Sequence, residues 1–498
     1  MADGHGASLA ELGLTAPGAG GLRLSGLTAD SRQVRPGMLF AALPGAGGHG
    51  ARFMDAALAA GAAAVLTDAR GQGIAGDLLA ASEVPVALSQ DARAAFARAA
   101  ALWFGAQPAT MVAVTGTNGK TSVATFARMI WEALGHPAIN LGTTGVEGAM
   151  SAALGHTTPD PLTLHRLLSE AARQGVTHAA MEASSHGLDQ RRLDGVWLAA
   201  AGFTNLTQDH LDYHASMDSY FDAKMGLFGR LLPEDGVAVV NLDDPHGAEV
   251  VARAAARGIE VIGTGRDPGA RLRLVGQRFD PQGQEMLFAW QGKGHQVHLP
   301  LVGGFQAANV LVAAGLVIGA GEDADEVIAA LPSLRGVRGR MQLAARRANG
   351  AAVYVDYAHT PDAVATAITA LRPHVLGRIV AIIGAGGDRD RGKRPLMGGA
   401  AAMAADAVIV TDDNPRSEDP AAIRAAVIAG VRAGGGDPLE VGDRAAAILH
   451  GVDMLGPGDA LVICGKGHET GQIVGATVYP FDDAEQASIA VAALEARA

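Results

Sequence analysis

The sequence predicts an α/β protein of about three domains, two of them built on open, mostly parallel sheets. Three observations carry this reading. The chain has 498 residues, more than one ordinary hydrophobic core organises, and length alone suggests about three domains. Short apolar runs that end in glycine- or acid-rich loops alternate with alanine-rich helical stretches, as the crossover connections of a parallel sheet require. Apolar residues make up 49% and charged residues 18%, with 67 glycines, a balance that excludes a disordered chain.

Residues 1–100 mix a strand-like segment, GLRLSGLTADSR, with helical stretches at 54–63 and 91–102. From Met111 the pattern becomes strand, glycine loop and helix in MVAVTGTNGKTSVATFARMIWEALG. Further strands are expected in THAAMEAS, LAAAGFTNL and GVAVVNLDD. Residues 271–299 alternate apolar and polar side chains, which predicts antiparallel strands with a glycine-rich turn at 291–294. A long alanine-rich helix follows Gly304, and LPSLRGVRGR (331–340) reads as a broken linker. The remainder offers AAVYVD, RIVAIIGAGG, AVIVTDD and ALVICGKG as strands, between helices such as 361–371 and 421–433, and predicts a second parallel sheet. Domains at 1–100, 101–340 and 341–498 follow. The recurring alanine helices reflect helix propensity rather than an internal repeat.

Fifty-one acids against 39 Lys and Arg give a formal charge of -12, which argues against nucleic acid as the main partner while leaving room for a local basic pocket. The start, MADGHGASLAELG, has no basic segment followed by an apolar core, and no stretch is apolar enough to span a bilayer. A cytoplasmic protein without integral membrane association is expected. The single cysteine, Cys464 in LVICG, excludes an intrachain disulfide and reads as an inert strand residue rather than a nucleophile.

The chemistry concentrates at strand ends. VTGTNGKTS (114–122) follows an apolar strand and opens a helix. Backbone N–H groups in such a turn surround phosphate oxygens, Lys120 reaches the terminal phosphate, and Thr121 offers a hydroxyl to a magnesium ion. Full Walker spacing would put its first glycine at Val114, so the loop alone does not separate a GTPase, a kinase and a ligase. Glu182 ends THAAME and His210 lies in TNLTQDHLDYH, both at the carboxyl edge of the first sheet. They read either as metal ligands or as a helix cap and a loop hydrogen-bonder. The second sheet presents DYAHTPD with His359, GAGGDRDRGKRP with Asp388, Arg389, Lys393 and Arg394, TDDNPR, and GKGHE with His468 and Glu469. Four polar clusters at strand ends form a substrate rim better than they serve solubility. The earlier GKGH at 292–295 sits between alternating strands and predicts a hairpin turn without catalytic meaning.

Taken together, GTNGKTS, EASSHGL, NLTQDHLDYH, DYAHTPD, GGDRDRGKRP and DNPR resemble motifs of the bacterial Mur ligase family, in the family's order over nearly the whole chain. GTNGKT alone also occurs in the related folylpolyglutamate synthases. The resemblance implies a first domain (1–100) that binds a UDP-muramoyl substrate, a central P-loop-like ATPase domain (101–340) and a C-terminal Rossmann-like domain (341–498) that brings an amino acid. It further implies ATP as co-substrate. A substrate carboxylate takes the γ-phosphoryl group to give an acyl phosphate, and an incoming amine then displaces phosphate.

Residue by residue, the resemblance places Gly116, Thr117, Asn118, Gly119, Lys120 and Thr121 on the nucleotide, with Asn309, Arg340 and His359. Thr121, Glu182, His210 and Lys224 become the Mg²⁺ set, and Lys120, Glu182, His210 and Lys224 the catalytic set. Lys224, in YFDAKMGLF, would otherwise read as a snorkelling surface lysine; the family position is carbamoylated, which turns an amine into a carboxylate-like ligand. Thr28 and Ser31 fall at the uridine end, and Thr157, Thr158, Ser184, Gln190 and Arg192 at the UDP-N-acetylmuramoyl dipeptide. Arg389, Asp413, Asn414, Arg416, Gly465 and Glu469 resemble the set that takes meso-diaminopimelate. An arginine fork suits its distal carboxylate, which lysine lacks. Gln306 stands where many relatives have Asn, and Gln342 where many have Glu. A monomer whose domains close over the reaction is expected. The alternatives are a folylpolyglutamate synthase-like ligase and a non-catalytic nucleotide-binding descendant.

Overall fold

The computed structural model describes residues 6–45, 47–209 and 213–496. The chain divides into two compact units, Met1–Leu272 with Leu311–Ala329, and Arg273–Val310 with Ala330–Ala498.

The first unit begins with a parallel sheet in the order Gly26–Thr28, Met38–Ala41, Ala64–Thr67, Val86–Leu88. Strand side chains alternate between faces, and two small cores result. Leu39, Ala41, Ala64 and Leu66 pack with Leu9, Leu24 and Phe96 on one side. Phe40, Ala42 and Val65 pack with Met54 and Leu79 on the other. The strand expected in GLRLSGLTADSR is shorter than the run suggests, because the Asp30 side chain accepts from Arg32 N and turns Ser31–Gln33 into a 3-10 turn. The helix expected at 54–63 is confined to Met54–Ala59. Gly61 follows with φ +88°, where a Cβ would stand 3.1 Å from Pro36 Cα, so the chain reverses there.

The larger sheet of this unit runs in the order Glu260–Gly265, Val237–Asn241, Ala200–Phe203, Thr110–Thr115, His178–Glu182, Ala138–Gly142, Gly145–Gly148. All pairs are parallel except the last. From Thr110–Thr115 the chain first fills one side, through Ala138–Gly142 and His178–Glu182, and then crosses to Ala200–Phe203 on the other. This strand is therefore the switch point, and its carboxyl end opens a crevice.

In the second unit, Leu272–Asp280, Gly283–Trp290 and Lys293–Leu299 follow one another as neighbouring strands. Gln291 (φ 48°) and Gly292 (φ 87°) make the two-residue turn of the last hairpin, the left-handed pair that matches strand twist. GKGH thus lies on a hairpin, as expected. A second sheet runs in the order Gln342–Arg346, Ala352–Asp356, Ala460–Cys464, Ile379–Ile383, Ala407–Val410, Leu439–Glu440. Only its first pair is antiparallel. Ile379, Ala381 and Ile383 pack on one face and Val380 and Ile382 on the other, which is why these strands read as unbroken apolar runs. Pro361–Leu371, Lys393–Ala404 and Pro420–Ala433 are helices of this unit. The last two pack closely enough that a Cβ at Gly430 would lie 1.8 Å from Pro395 O. Among the described residues, no helix is long and apolar enough to cross a membrane. Cys464 is buried in its strand, and burial pushes its thiol upward, so it stays an unreactive thiol at neutral pH.

Candidate active site

The loop that leaves the switch-point strand is shaped by contacts no side chain could replace. At Gly116, φ is +149° and a Cβ would fall 1.9 Å from Thr204 Oγ1. The segment after Ala200–Phe203 clamps the loop from the side. Thr117 N donates to Asn205 O at 2.8 Å, Asn118 N to Asn205 Oδ1 at 2.9 Å, and Thr204 Oγ1 to Asn118 O at 2.6 Å. Thr207 N reaches Thr117 Oγ1 at 3.0 Å. Helix Lys120–Ala133 then starts at Gly119 without a side-chain cap. A helix end of this kind favours an anion.

Two lysines converge on this loop. Lys120 Nζ donates to Gly116 O at 2.9 Å and Thr117 O at 2.8 Å, and Lys224 Nζ donates to the same Gly116 O at 2.8 Å. Lys224 is only 1% exposed, so it is not a snorkelling residue. Burial, with the nearby Lys120 charge, holds its amine well below the ordinary lysine range, while Asp209 pulls the other way. Its Nζ also lies 4.3 Å from the Tyr220 ring centroid. An amine driven toward neutrality is a nucleophile for CO₂, which an ammonium is not.

Glu182, at the end of its strand, is buried but fully engaged by neutral donors. Thr121 Oγ1 reaches Oε1 at 2.9 Å, Thr143 N reaches the same oxygen at 2.7 Å, and Thr143 Oγ1 reaches Oε2 at 3.1 Å. A Cβ at Gly142 would lie 2.1 Å from Oε1, so the glycine before Thr143 makes room for the carboxylate. From here the bonds continue through the predicted substrate residues. Thr143 Oγ1 meets Thr157 Oγ1 at 3.0 Å. Thr158 Oγ1 donates to Glu182 O at 2.9 Å and accepts from Ser184 N and Oγ. Arg192 Nη1 donates to Thr158 O at 2.6 Å, and its Nη2 donates to Gln190 Oε1 at 2.7 Å. Gln190 in turn donates to Tyr213 OH at 3.1 Å. One network thus joins Thr121, Glu182, Thr157, Thr158, Ser184, Gln190 and Arg192. His210 lies outside the described residues. Thr28 and Ser31 stand together at the end of the first strand, where Thr28 Oγ1 accepts from Asp30 N at 3.0 Å and Ser31 opens the 3-10 turn. A cavity lined by Asp68, Arg70, Leu88 and Gln90 opens at the carboxyl edge of that sheet.

The second unit carries the rest. Arg340 Cζ lies 4.6 Å from the Tyr357 ring centroid, and the same ring meets His359 at 4.6 Å and His468 at 5.0 Å. Asn309 Nδ2 donates to Gln306 Oε1 at 3.0 Å, so glutamine keeps the acceptor that its position needs. Gln342 Oε1 likewise accepts from Gly339 N at 2.8 Å, a bond that requires no charge.

Around TDDNPR the groups divide. Asp412 pairs with Arg424 at 2.5 Å and braces the loop. Asp413 accepts from Asn414 N through Oδ1, and a Cβ at Gly465 would come 2.5 Å from its Oδ2. Lys466 is fully buried between Asn414 Oδ1 (3.1 Å), Glu469 Oε2 (2.9 Å) and Gly471 O (2.6 Å), and Asn414 Nδ2 also donates to Glu469 Oε2 at 2.9 Å. Arg416 adopts φ 52°, unusual for a side chain this large and of the kind that persists where surroundings fix it. Those surroundings are Ile473 O, which accepts from Arg416 N at 3.0 Å, and Gly387 O, which accepts from Nη1 at 2.8 Å. Arg389 is exposed on the adjacent loop. That loop is anchored by Glu418, which Arg394 holds down to about 2. Thr143, Asn205, Thr207, Tyr220, Tyr357 and Lys466 were not singled out from sequence. Asn205, Thr207, Tyr220, Tyr357 and Lys466 sit inside quoted motifs, whereas Thr143 becomes visible only when strands are paired.

Three family descriptions match this chain: the Mur ligase family catalytic domain over residues 23–103, the Mur ligase middle domain over 114–317, and the Mur ligase glutamate ligase domain over 339–467. A UDP-N-acetylmuramoyl-L-alanyl-D-glutamate--2,6-diaminopimelate ligase of Bradyrhizobium diazoefficiens is 51% identical over 480 residues, 96% of each chain. The ligase of the same name from Caulobacter vibrioides is 51% identical over 95% of this chain and 96% of its own. A solved structure of a ligase so named aligns with a TM-score of 0.72 at 33% identity, covering 98% of this chain and 99% of the other.

Proposed function

The chain belongs to the Mur ligase family, and from that premise we propose that it is an ATP-dependent ligase adding meso-2,6-diaminopimelate to UDP-N-acetylmuramoyl-L-alanyl-D-glutamate. A glutamyl carboxylate oxygen attacks the γ-phosphorus of ATP, and the bond to ADP breaks. The diaminopimelate amine then attacks the acyl carbon, the carbon–oxygen bond to phosphate breaks, and the nitrogen loses a proton. The product is a step in peptidoglycan precursor synthesis. The observation that carries this reading is the single network around Glu182, which connects the phosphate-type loop at Lys120 and Thr121 to Thr157, Thr158, Ser184 and Arg192. An acyl phosphate forms only where a nucleotide and an acid meet.

In this reading the loop amides from Gly116 to Gly119, with Lys120, collect the phosphates, and Asn309, Arg340 and His359 contact the nucleotide. The Tyr357 ring orients Arg340 and His359. Thr121 and Glu182, an oxygen pair 2.9 Å apart, fit a hard divalent ion, and with His210 and a carbamoylated Lys224 they would hold Mg²⁺. Bound there, Mg²⁺ would neutralise phosphate charge. Thr28 and Ser31 receive the uridine end, and Gln190 and Arg192 hold the dipeptide. Arg416, aimed by Gly387 O, clamps the distal carboxylate of diaminopimelate with Arg389 nearby. Asp413, Asn414, Gly465 and Glu469 face its amino group, with Lys466 fixing Asn414 and Glu469. Three domains divided near 100 and 340, a monomeric cytoplasmic enzyme and no nucleic-acid partner complete the proposal; the three family matches support the division.

ADP release by the purified chain tests it, with the muramoyl dipeptide and meso-diaminopimelate supplied together and each omitted in turn. Release that requires both is expected. Release with a folate and glutamate instead would assign the chain to the folylpolyglutamate synthase branch, and none under any condition would leave a non-catalytic nucleotide binder.

A further inference from the structure

At the amino edge of the first unit's large sheet, His136, His178 and Glu322 bring one ligand atom each within 4.8 Å of the others. We propose that they form a second metal site, for a borderline divalent transition ion of the zinc class, separate from the nucleotide crevice. His178 opens a strand whose register pairs it with Thr110, while the glycine loop leaves the other end of that neighbouring strand. The two places are thus a strand length apart, roughly 16 Å at about 3.3 Å per residue.

The geometry is that of a cation site. Glu322 Oε1 lies 3.1 Å from His136 Nε2 and 3.5 Å from His178 Nε2. Ligand atoms bound tetrahedrally at zinc distances stand about 3.3–3.4 Å apart. The two imidazole rings lie 4.3 Å apart at 35°, close enough that two imidazoliums would repel, so one divalent ion in place of both Nε2 protons relieves the arrangement. A supporting bond is present. His178 Nδ1 is 2.8 Å from Thr177 Oγ1, whose own hydroxyl can donate to Pro137 O at 3.3 Å, which leaves Nε2 for the metal. Two imidazoles and one carboxylate favour Zn²⁺, Co²⁺ or Ni²⁺ over Mg²⁺. The ligands follow three segments distant in sequence, the ends of helices Lys120–Ala133 and Phe305–Gly319 and the start of strand His178–Glu182. A bound ion therefore ties them together and stabilises the unit by linkage.

The test is Co²⁺ titration of the full-length, tag-free, metal-stripped protein, read by visible absorption, with thermal unfolding in parallel. One equivalent giving tetrahedral d–d bands and a raised midpoint is expected. The His178→Ala and Glu322→Gln variants should lose the bands and weaken binding roughly tenfold or more, and Glu322→Gln should keep ADP release. Should His178→Ala fail to fold, Glu322→Gln alone carries the comparison. Absence of tetrahedral bands in the wild type overturns the site, as do bands that survive Glu322→Gln unchanged; either outcome leaves an ordinary histidine–glutamate ion pair.

Discussion

The two strand-end clusters handle charge in opposite ways. In the first unit, Lys120 and Lys224 both point at the carbonyl of Gly116, and Glu182 is held by two threonines and an amide. Neutral groups fix the position of Glu182, and one backbone carbonyl accepts from both lysines. In the second unit, ion pairs build the frame: Lys466 with Glu469, Arg394 with Glu418, Arg424 with Asp412, and Arg444 with Asp483. Arg416 is instead held through carbonyls and its own backbone. The lesson is that charge density alone marks neither site. What marks a candidate is a charged group oriented by uncharged neighbours.

Breaking that arrangement in the first unit should have the largest effect. Glu182→Gln keeps the shape but removes the anion, and ADP release should fall roughly 10²–10³-fold, as for removal of one electrostatic contributor to a transition state; a steady-state assay with saturating substrates reads it. Lys224→Met sharpens the contrast by separating activity from stability. Activity should be lost. Measured against wild type kept free of CO₂, so that the amine is unmodified, stability should rise by about 1–2 kcal/mol near neutral pH, because a buried amine no longer has to be kept uncharged. Below the ordinary lysine range the unfolded chain binds a proton that the buried, unmodified amine does not, so this group's contribution to wild-type stability increases with pH up to that range. Denaturant melts at several pH values check it, and the pH slope should flatten in the variant.

Arg416→Ala should lower kcat/KM for meso-diaminopimelate by roughly 10²-fold, the scale of a lost charge-assisted fork. The ATP KM should change little, and lysine use should not appear, since emptying a pocket does not build another. Equal losses for every amino acid tested would make Arg416 a loop brace like Arg424. The smallest effect belongs to Lys293→Ala on the GKGH hairpin, where activity should stay within about twofold of wild type, as for surface positions away from any site.

Much of the fold was legible because local signals agreed. Thr360 before Pro361 and Asp419 before Pro420 cap helices that begin where the sequence suggests, and apolar runs such as residues 379–383 lie in a two-faced core. The glycine loop and Glu182 were legible as strand ends. The Tyr357 stack, the Thr143 bridge and the buried Lys466 were not, because each depends on which strands become neighbours, and periodicity does not report that. Lys224 teaches the converse. Its helix has little amphipathic pattern, so a buried lysine on it looks like a surface one until the Gly116 carbonyl is found beside it. Gln306 and Gln342, which stand where many relatives have Asn and Glu, serve as acceptors for Asn309 and Gly339.

What defines the second site is the amino acid it admits. Equal concentrations of meso-diaminopimelate and L-lysine, offered together with ATP and UDP-N-acetylmuramoyl-L-alanyl-D-glutamate, put it to the most direct test, with the nucleotide-linked product resolved by mass spectrometry. A product carrying diaminopimelate almost exclusively is predicted. A product dominated by lysine, or an even mixture, would contradict the assignment of Arg416 and with it the account of the second site.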